Sequence, residues 1–364
     1  MKVNTISLNS VRLNTIALNH IGEIRSGGGG SKPSPIPQWI REHIVFYYDV
    51  KKQGATNETL KESAYLQDLS GKGRRMKLNN FLFAEMSGVG GYNDNFSNWR
   101  TDSNNGVVKI ESDSSIVIQS VKIEYRGALY QDGSKKATLK CNITGITEEL
   151  KGKLIFRYTD AEDSKNITLE NGYFEFNSSE YEGLSGWYGF TSKQPIDNCN
   201  ITITQIPEYP GALVTDGVDD YGLVENLSSG VKTLFMTVNP MMLDAALYDQ
   251  RATSGWHLFA VITKSNEVAY NAYNTKGKTY INGVLNESQT SNELQNEKQI
   301  ITIVNSEVNE TNSLSPNFFR IRGGGLRMKC AFYNSIAFDS IPTEADGFTE
   351  QELIDYVITN IIGQ

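Results

Sequence analysis

The sequence is poor in the features on which several large protein classes depend. It has three cysteines and three histidines in 364 residues, and no apolar run approaches the roughly 20 residues needed to cross a bilayer. An odd and low cysteine count argues against a disulfide framework. The net charge of −8 argues against binding to the phosphate backbone of a nucleic acid. We therefore expect a soluble protein with no membrane span and no nucleic-acid partner.

Two of the cysteines leave alternatives open. Cys141 and Cys199 occur in the similar contexts KCNIT and NCNIT. They form a disulfide if their strands are neighbours, or they are two buried thiols made in a reducing cytosol. The first residues, MKVNTISLNS, alternate polar and apolar side chains and have no continuous apolar segment. This pattern is not typical of a secretory signal.

What the chain does contain is a long series of short β-prone runs. Between 96 and 208, runs such as KKATLKCNITGI and KNITLENGYFEF alternate polar and apolar residues, and Asp-Gly, Asn-Gly or Ser-Gly pairs separate them. This pattern predicts an antiparallel β-sandwich. Similar runs continue after Tyr209. The C-terminal FTEQELIDYVITNIIGQ instead predicts a helix, because Thr349 and Glu352 form a capping box in front of an apolar face.

The N-terminal part has a different texture. TISLN (5–9), SVRLN (10–14) and TIALN (15–19) repeat with a period of five, and their regular apolar spacing predicts an extended β-repeat at 1–25. Such a repeat buries too little surface to be stable alone, so we expect it to bind another protein or copies of itself. A disordered tail is the alternative. The Gly/Ser/Pro-rich residues 26–37 predict a linker; their GGGGS also matches a common engineered linker, and both origins stay open.

Three carboxylates lie close together in GALVTDGVDDYGLVE (211–225): Asp216, Asp219 and Asp220. They suit a turn in which Asp216 accepts backbone N–H groups and Gly217 has a positive φ. They also suit Ca²⁺, a hard cation that takes six or more oxygen ligands. We favour the turn, because no second acidic cluster supplies further ligands, and we expect no other cofactor.

These residues resemble a known family. GALVTDGVDDYGLVENL is similar to the signature turn of laminin-G-like, concanavalin A-like jelly rolls, and TLFMTVNP, GWHLFAVI and KTYINGVLN are similar to the strands that follow it. The opening strands of the family resemble VFYYDV and LQDLSGKGRRMKLNNF, which here stand more than a hundred residues earlier. The resemblance implies an all-β fold: one jelly roll of 38–95 plus 209–364, interrupted by an inserted β-sandwich domain at 96–208.

The order of features is also similar to that of virion surface proteins of crAss-like tailed phages, either head fibres or tail-associated fibres. That resemblance implies a place on the exterior of the virion after synthesis in the host cytoplasm. It further implies that residues 1–25 bind other virion proteins and that the chain is a homo-oligomer, with a trimer favoured.

Catalysis finds little support in the sequence. Jelly-roll glycosidases of related fold have E-x-D-x-E on one strand, and the nearest equivalent here is Glu111 and Asp113 in the segment 96–208. The histidines His20, His43 and His257 are scattered, without a second histidine at ligand spacing. We therefore expect no enzyme.

Carbohydrate binding is the function that the sequence favours. SGWYGF places Trp187 and Tyr188 beside a glycine turn, and GGYNDNFSNW contributes Tyr92 and Trp99. Aromatic rings of this kind either bind sugars, including host-surface glycans, or pack in the core. The alternative to a virion fibre is a bacterial carbohydrate-binding module, surface-attached or secreted.

Overall fold

The computed structural model describes residues 37–363, apart from 84–86, 91–94, 113, 136–137, 160–162, 182–183, 185, 226, 228, 243–244, 251–260, 265–266, 271–276, 287–296, 306–314, 322 and 343–346. For 261–264 and 267–270 it describes the backbone alone. The predicted repeat at 1–25 and, apart from Pro37, the linker at 26–37 lie outside the described residues. The described chain is all-β with several antiparallel sheets and a C-terminal helix, as predicted.

The chain divides into two compact units. Among the described residues, the first unit comprises 37–83, 87–89 and 211–363, and the second comprises 90–210.

The first unit contains an eight-stranded antiparallel sheet. Its strands are, in spatial order, β22 (Val284–Leu285), β21 (Gly277–Ile281), β23 (Gln299–Asn305), β17 (Thr233–Pro240), β25 (Cys330–Phe338), β15 (Leu213–Val214) and β4 (Gly88–Val89), with β1 (Ile44–Asp49) also paired to β25. Every residue of β17 is buried, because both faces of this sheet are covered.

A five-stranded sheet covers one face of the large sheet. It consists of β18 (Tyr248–Asp249), β24 (Asn317–Phe318), β16 (Tyr221–Val224), β3 (Met76–Asn79) and β2 (Tyr65–Leu66). One apolar core contains Phe46 and Leu234 from the large sheet together with Met76, Val224 and Phe318 from the small one. The two sheets therefore form a sandwich. A separate two-stranded hairpin pairs β19 (Val261–Lys264) with β20 (Glu267–Tyr270).

The C-terminal helix covers the other face of the large sheet. This helix, α3 (Glu350–Val357), follows the short helices α1 (Gln38–His43) and α2 (Asn57–Ser63) and continues as a π-helical turn at Ile358–Ile362. The predicted capping box is confirmed: the Glu352 N–H donates to Thr349 Oγ1 at 3.2 Å, and the Thr349 N–H donates to Glu352 Oε2 at 2.8 Å. Below the cap, buried helix residues pack with Phe235 and Ile336 of the sheet. No described helix has the length and apolar character to cross a membrane.

The second unit is a sandwich of two five-stranded sheets. The first has, in spatial order, β11 (Ser164–Thr168), β10 (Leu154–Thr159), β13 (Trp187–Ser192), β8 (Leu129–Asp132) and β5 (Arg100–Thr101). The second has β12 (Gly172–Asn177), β9 (Thr138–Thr144), β14 (Ile201–Gln205), β7 (Ser115–Val121) and β6 (Gly106–Ser112). Two short 3₁₀ helices occupy Phe96–Asn98 and Ser178–Glu180. The core between the two sheets is rich in aromatic rings, and the ring centroids of Phe156 and Phe190 lie 5.1 Å apart.

The cysteines are free thiols. Cys141 and Cys199 are buried in the second unit and Cys330 in the first, and none forms a disulfide. The sequence left a disulfide and two buried thiols as alternatives for Cys141 and Cys199; in the structure they are two buried thiols.

Candidate functional site

The turn between β15 and β16 brings the three carboxylates together. One ligand oxygen from each of Asp216, Asp219 and Asp220 lies within 4.8 Å of the other two. Because β15 belongs to the large sheet and β16 to the small one, the chain crosses from one side of the sandwich to the other at this turn.

Asp216 closes the turn through its side chain. Its Oδ1 accepts the N–H of Val218 at 2.7 Å and the N–H of Asp219 at 3.2 Å. Gly217, between Asp216 and Val218, has φ +78°, in the left-handed region that favours glycine. A carboxylate that accepts hydrogen bonds from the N–H groups two and three residues ahead forms an Asx-type turn. The presence of Asp followed by Gly at this turn is therefore explained by local chemistry.

Asp220 is buried beneath the turn, with 1% of its surface exposed. Its Oδ2 accepts the N–H of Asp216 at 2.9 Å and the hydroxyl of Ser87 at 2.8 Å. Its Oδ1 is buried and has no hydrogen-bond partner among the described residues. Burial raises the pKa of Asp220 to about 7; the two hydrogen bonds oppose the rise, and the charges of Asp216 and Asp219 add to it. Asp220 therefore exchanges its proton near neutral pH.

Neighbouring loops hold the backbone of the turn. The Asn80 side-chain amide donates to the carbonyl of Asp219 at 3.1 Å. The Arg327 guanidinium donates to the carbonyl of Val218. Among the described residues, the carboxylate of Asp219 has no hydrogen-bond donor, in contrast to those of Asp216 and Asp220.

As a metal site the cluster is incomplete. Ca²⁺ takes six to eight oxygens. N–H or O–H donors already occupy Asp216 Oδ1 and Asp220 Oδ2, which leaves Asp216 Oδ2, both oxygens of Asp219 and Asp220 Oδ1. In the described part of the chain no other acidic side chain joins this group. The donor set fits a turn better than a calcium shell.

The aromatic candidates for sugar binding have different environments. Trp99 and Tyr188 are 4% and 0% exposed and pack together in the core of the second unit, with ring centroids 5.6 Å apart. A buried ring has no face to offer a sugar, so both act here as packing groups. Trp187 lies on the opposite face of β13 and is half-buried. Tyr92 lies outside the described residues.

Trp187 has a neighbour that the sequence did not single out. The ring of Tyr130, on the adjacent strand β8, lies 5.8 Å from the Trp187 ring at an interplanar angle of 65°. The alternation in GWYGF is enough to place Trp187 and Tyr188 on opposite faces of a strand. The pairing of β13 with β8, which brings Tyr130 to Trp187, joins segments far apart in sequence and has no local signal.

The other residues considered for chemistry are dispersed. His43 contacts Asp339, with 2.9 Å between Nδ1 and Oδ1. Glu111 pairs with Lys109 at 2.8 Å on an exposed strand. His20, His257 and Asp113 lie outside the described residues.

Comparisons of the chain with protein-family models, with curated proteins and with solved structures find no match. The resemblance to laminin-G-like jelly rolls therefore depends on the sequence motifs alone, and the arguments about function depend on the geometry of the described residues.

Proposed function

We propose that this chain is a non-enzymatic virion protein of a phage, a head or tail-associated fibre that displays a lectin-like jelly roll for adhesion to host-surface glycans. In this proposal residues 1–25 attach the chain to other virion proteins, and three copies associate.

One observation supports the jelly roll above others. The segment that resembles the family's signature turn, TDGVDDYG, links β15 of the large sheet to β16 of the small sheet. A turn that changes sheets needs a fixed geometry, and the side chains of Asp216 and Asp220 supply hydrogen bonds for it. The carboxylates thus have an architectural use that requires neither metal nor substrate.

The position of the second unit supports an insertion into the jelly roll. The chain leaves the first unit after β4 and returns at β15, and these two strands are antiparallel partners. Where the chain enters and leaves the second unit, the N–H of Tyr209 donates to the carbonyl of Gly90 at 3.3 Å. Ends held this close let a domain occupy the place of a hairpin loop at little cost to its host.

The absence of catalysis is part of the proposal. Glycosidases of this general architecture need two carboxylates across a sugar site. The described carboxylates that come together, at 216–220, are engaged in a turn, and Asp220 is buried.

The direct test is the composition of the virion. Purified virions of the phage should contain the full chain as a stoichiometric structural protein, detected by mass spectrometry. Purified protein should elute as a trimer and should not cleave a panel of polysaccharides. A variant without residues 1–25 should keep its thermal melt but not attach to virions. Virions that lack the chain would contradict the proposal and favour the bacterial carbohydrate-binding module.

A further inference from the structure

One row of side chains crosses all five strands of the sheet that contains β13. Direct backbone partners follow one another as Arg100 with Tyr130, Tyr130 with Gly189, Gly189 with Arg157, and Arg157 with Asn166. Residues directly opposite in antiparallel strands lie on the same face of a sheet. On β8, β10 and β13 the neighbours of the row in sequence are core residues: Leu129, Phe156, Tyr158, Tyr188 and Phe190. The row therefore lies on the face turned away from the core.

The middle of the row has no side chain. A Cβ on Gly189 would lie 2.2 Å from the carbonyl oxygen of Leu129 and 2.8 Å from the Cβ of Tyr130. Glycine is therefore required where Tyr130 passes this close to β13. As a consequence, no side chain of β13 separates those of Tyr130 and Arg157 in the row.

An aromatic pair lies beside Gly189 on this face. Trp187 is two residues before Gly189 on β13, hence on the same face, and its ring contacts that of Tyr130. Both residues are half-buried. Neither residue is fully buried, so we expect part of this pair to be open to solvent, where an aromatic ring can cover the apolar C–H face of a sugar ring.

Positive charge lies on both sides of the aromatic pair. Arg157 is half-buried, and its guanidinium lies 5.3 Å from the ring centroid of Tyr125. Arg100 is exposed at the β5 end of the row. Among the described residues, neither arginine forms an ion pair with a carboxylate. Arg100 interacts through its charge with Asp132, and two guanidinium groups on one face stand out in a chain whose net charge is −8.

A single carboxylate, Asp132, lies near the aromatic pair as the backbone partner of Trp187. Its Oδ1 already accepts the N–H and the hydroxyl of Ser134, at 3.0 and 2.7 Å. These bonds lower the pKa of Asp132, so it stays charged and can accept sugar hydroxyls through its other oxygen. Arg100 and Arg157 together still leave the face with a positive charge.

From this arrangement we propose that the outer face of the β11-β10-β13-β8-β5 sheet is a binding site for an acidic saccharide that contains carboxylated sugars. Trp187 and Tyr130 stack on the sugar, and Arg157, assisted by Arg100, binds the carboxylate. Guanidinium suits this role because its paired N–H groups match both oxygens of a carboxylate. This inference rests on the proposed adhesive function and names the ligand class and the site.

The test uses the full chain and matched pairs of oligosaccharides. Oligogalacturonate and sialyllactose are titrated calorimetrically beside their uncharged counterparts, carboxyl-reduced oligogalacturonate and lactose. The wild type should bind at least one acidic member of these pairs about tenfold more tightly than its neutral counterpart, because only the carboxylate accepts charge-assisted hydrogen bonds from the guanidinium. The difference should shrink as salt is raised.

The variants Arg157→Gln and Trp187→Ala separate charge from stacking. Arg157→Gln should abolish the preference for the acidic sugar. Trp187→Ala should lower the affinity for both the acidic sugar and its neutral counterpart. The control is Tyr173→Ala, which removes a ring that is 63% exposed on β12 of the other sheet and should leave binding unchanged. Thermal melts confirm that each variant is folded.

Three outcomes would overturn the inference: no binding of either acidic ligand, equal binding of acidic and neutral ligands, or wild-type affinity in both site variants. These outcomes are separate from the test of the virion proposal. Virions that contain a chain unable to bind acidic sugars would leave the fibre proposal standing without this site. If the chain binds acidic sugars but is absent from virions, the fibre proposal fails and the saccharide site stands.

Discussion

Val89 and Leu213 are direct partners in the large sheet, although residues 90–210 of the second unit lie between them in the sequence. Their pairing means that the first unit needs residues from both sides of the second unit to complete its sheet. We therefore expect the first unit to fold when the residues between β4 and β15 are replaced, provided that these two strands can still pair.

A shortened chain tests this dependence. Replacing residues 91–209 with a short Gly/Ser linker should give a protein that is soluble and melts cooperatively, because β4 and β15 can still pair. Circular dichroism and calorimetry measure the melt. Extending the deletion through Gly88–Val89 removes β4 and should lower the melting temperature. An aggregated product, or one without a cooperative transition, would contradict the insertion.

Asp216→Ala should destabilise the first unit. The substitution removes the acceptor of the Val218 and Asp219 N–H groups, and because water can reach this turn we expect a cost of about 0.5–1.5 kcal/mol. Asp219→Ala is the matched control, because the Asp219 carboxylate accepts no hydrogen bond from a described residue, and it should change stability little. Denaturant unfolding measures both.

The same wild-type protein tests the calcium alternative. A ligand that binds only the folded state raises the melting temperature by mass action. We expect equal melting temperatures in millimolar Ca²⁺ and in EDTA. A rise with Ca²⁺ that Asp219→Ala removes would mean that the cluster is a metal site.

Asp220 should make stability depend on pH. Its pKa is raised from 3.8 to about 7 in the folded protein, so between these values the folded state holds a proton that the unfolded state has lost. Stability is therefore greatest at low pH with respect to this group and falls as pH rises from about 4 to about 7. Asp220→Asn should flatten this part of the stability profile, because an asparagine side chain does not titrate. The variant should still fold, because its amide oxygen can accept the hydrogen bonds of Ser87 and Asp216. Unfolding measured in steps of pH would refute the assignment if both proteins had the same slope.

The three thiols should be unreactive in the folded protein. Burial raises the pKa of Cys141 and Cys199 and raises that of Cys330 to about 12, so almost no thiolate is present at neutral pH. A chromogenic thiol reagent should find no rapidly reacting cysteine in native protein and three after denaturation. Fewer than three after denaturation without reductant would indicate a disulfide.

The C-terminal helix should depend on its cap. Thr349→Ala removes the acceptor of the Glu352 N–H and should cost about 1 kcal/mol. Thr349→Ser keeps a hydroxyl at the same place and should lose much less. Equal stability of the two variants in denaturant would show that packing alone holds the helix.

Local chemistry was sufficient for much of this protein. Alternating runs of polar and apolar residues predict strands, since successive side chains of a strand point to opposite faces. The capping box at Thr349 and Glu352 predicts the last helix for a similar reason, because both partners lie within one turn. In the same way, Asp216 and Gly217 have all the partners of their turn within a few residues.

Only the tertiary structure decided which faces of the strands are covered and which distant residues meet. Trp187 and Tyr188 are equally aromatic neighbours in sequence, yet one is half-buried and the other lies in the core, because the second sheet packs on one face of β13 alone. Asp220 likewise accepts a hydrogen bond from Ser87, which comes from a distant part of the chain. The row from Arg100 to Asn166 exists only through the register of five strands. Register is set by long-range pairing and core packing, for which the local sequence has no signal.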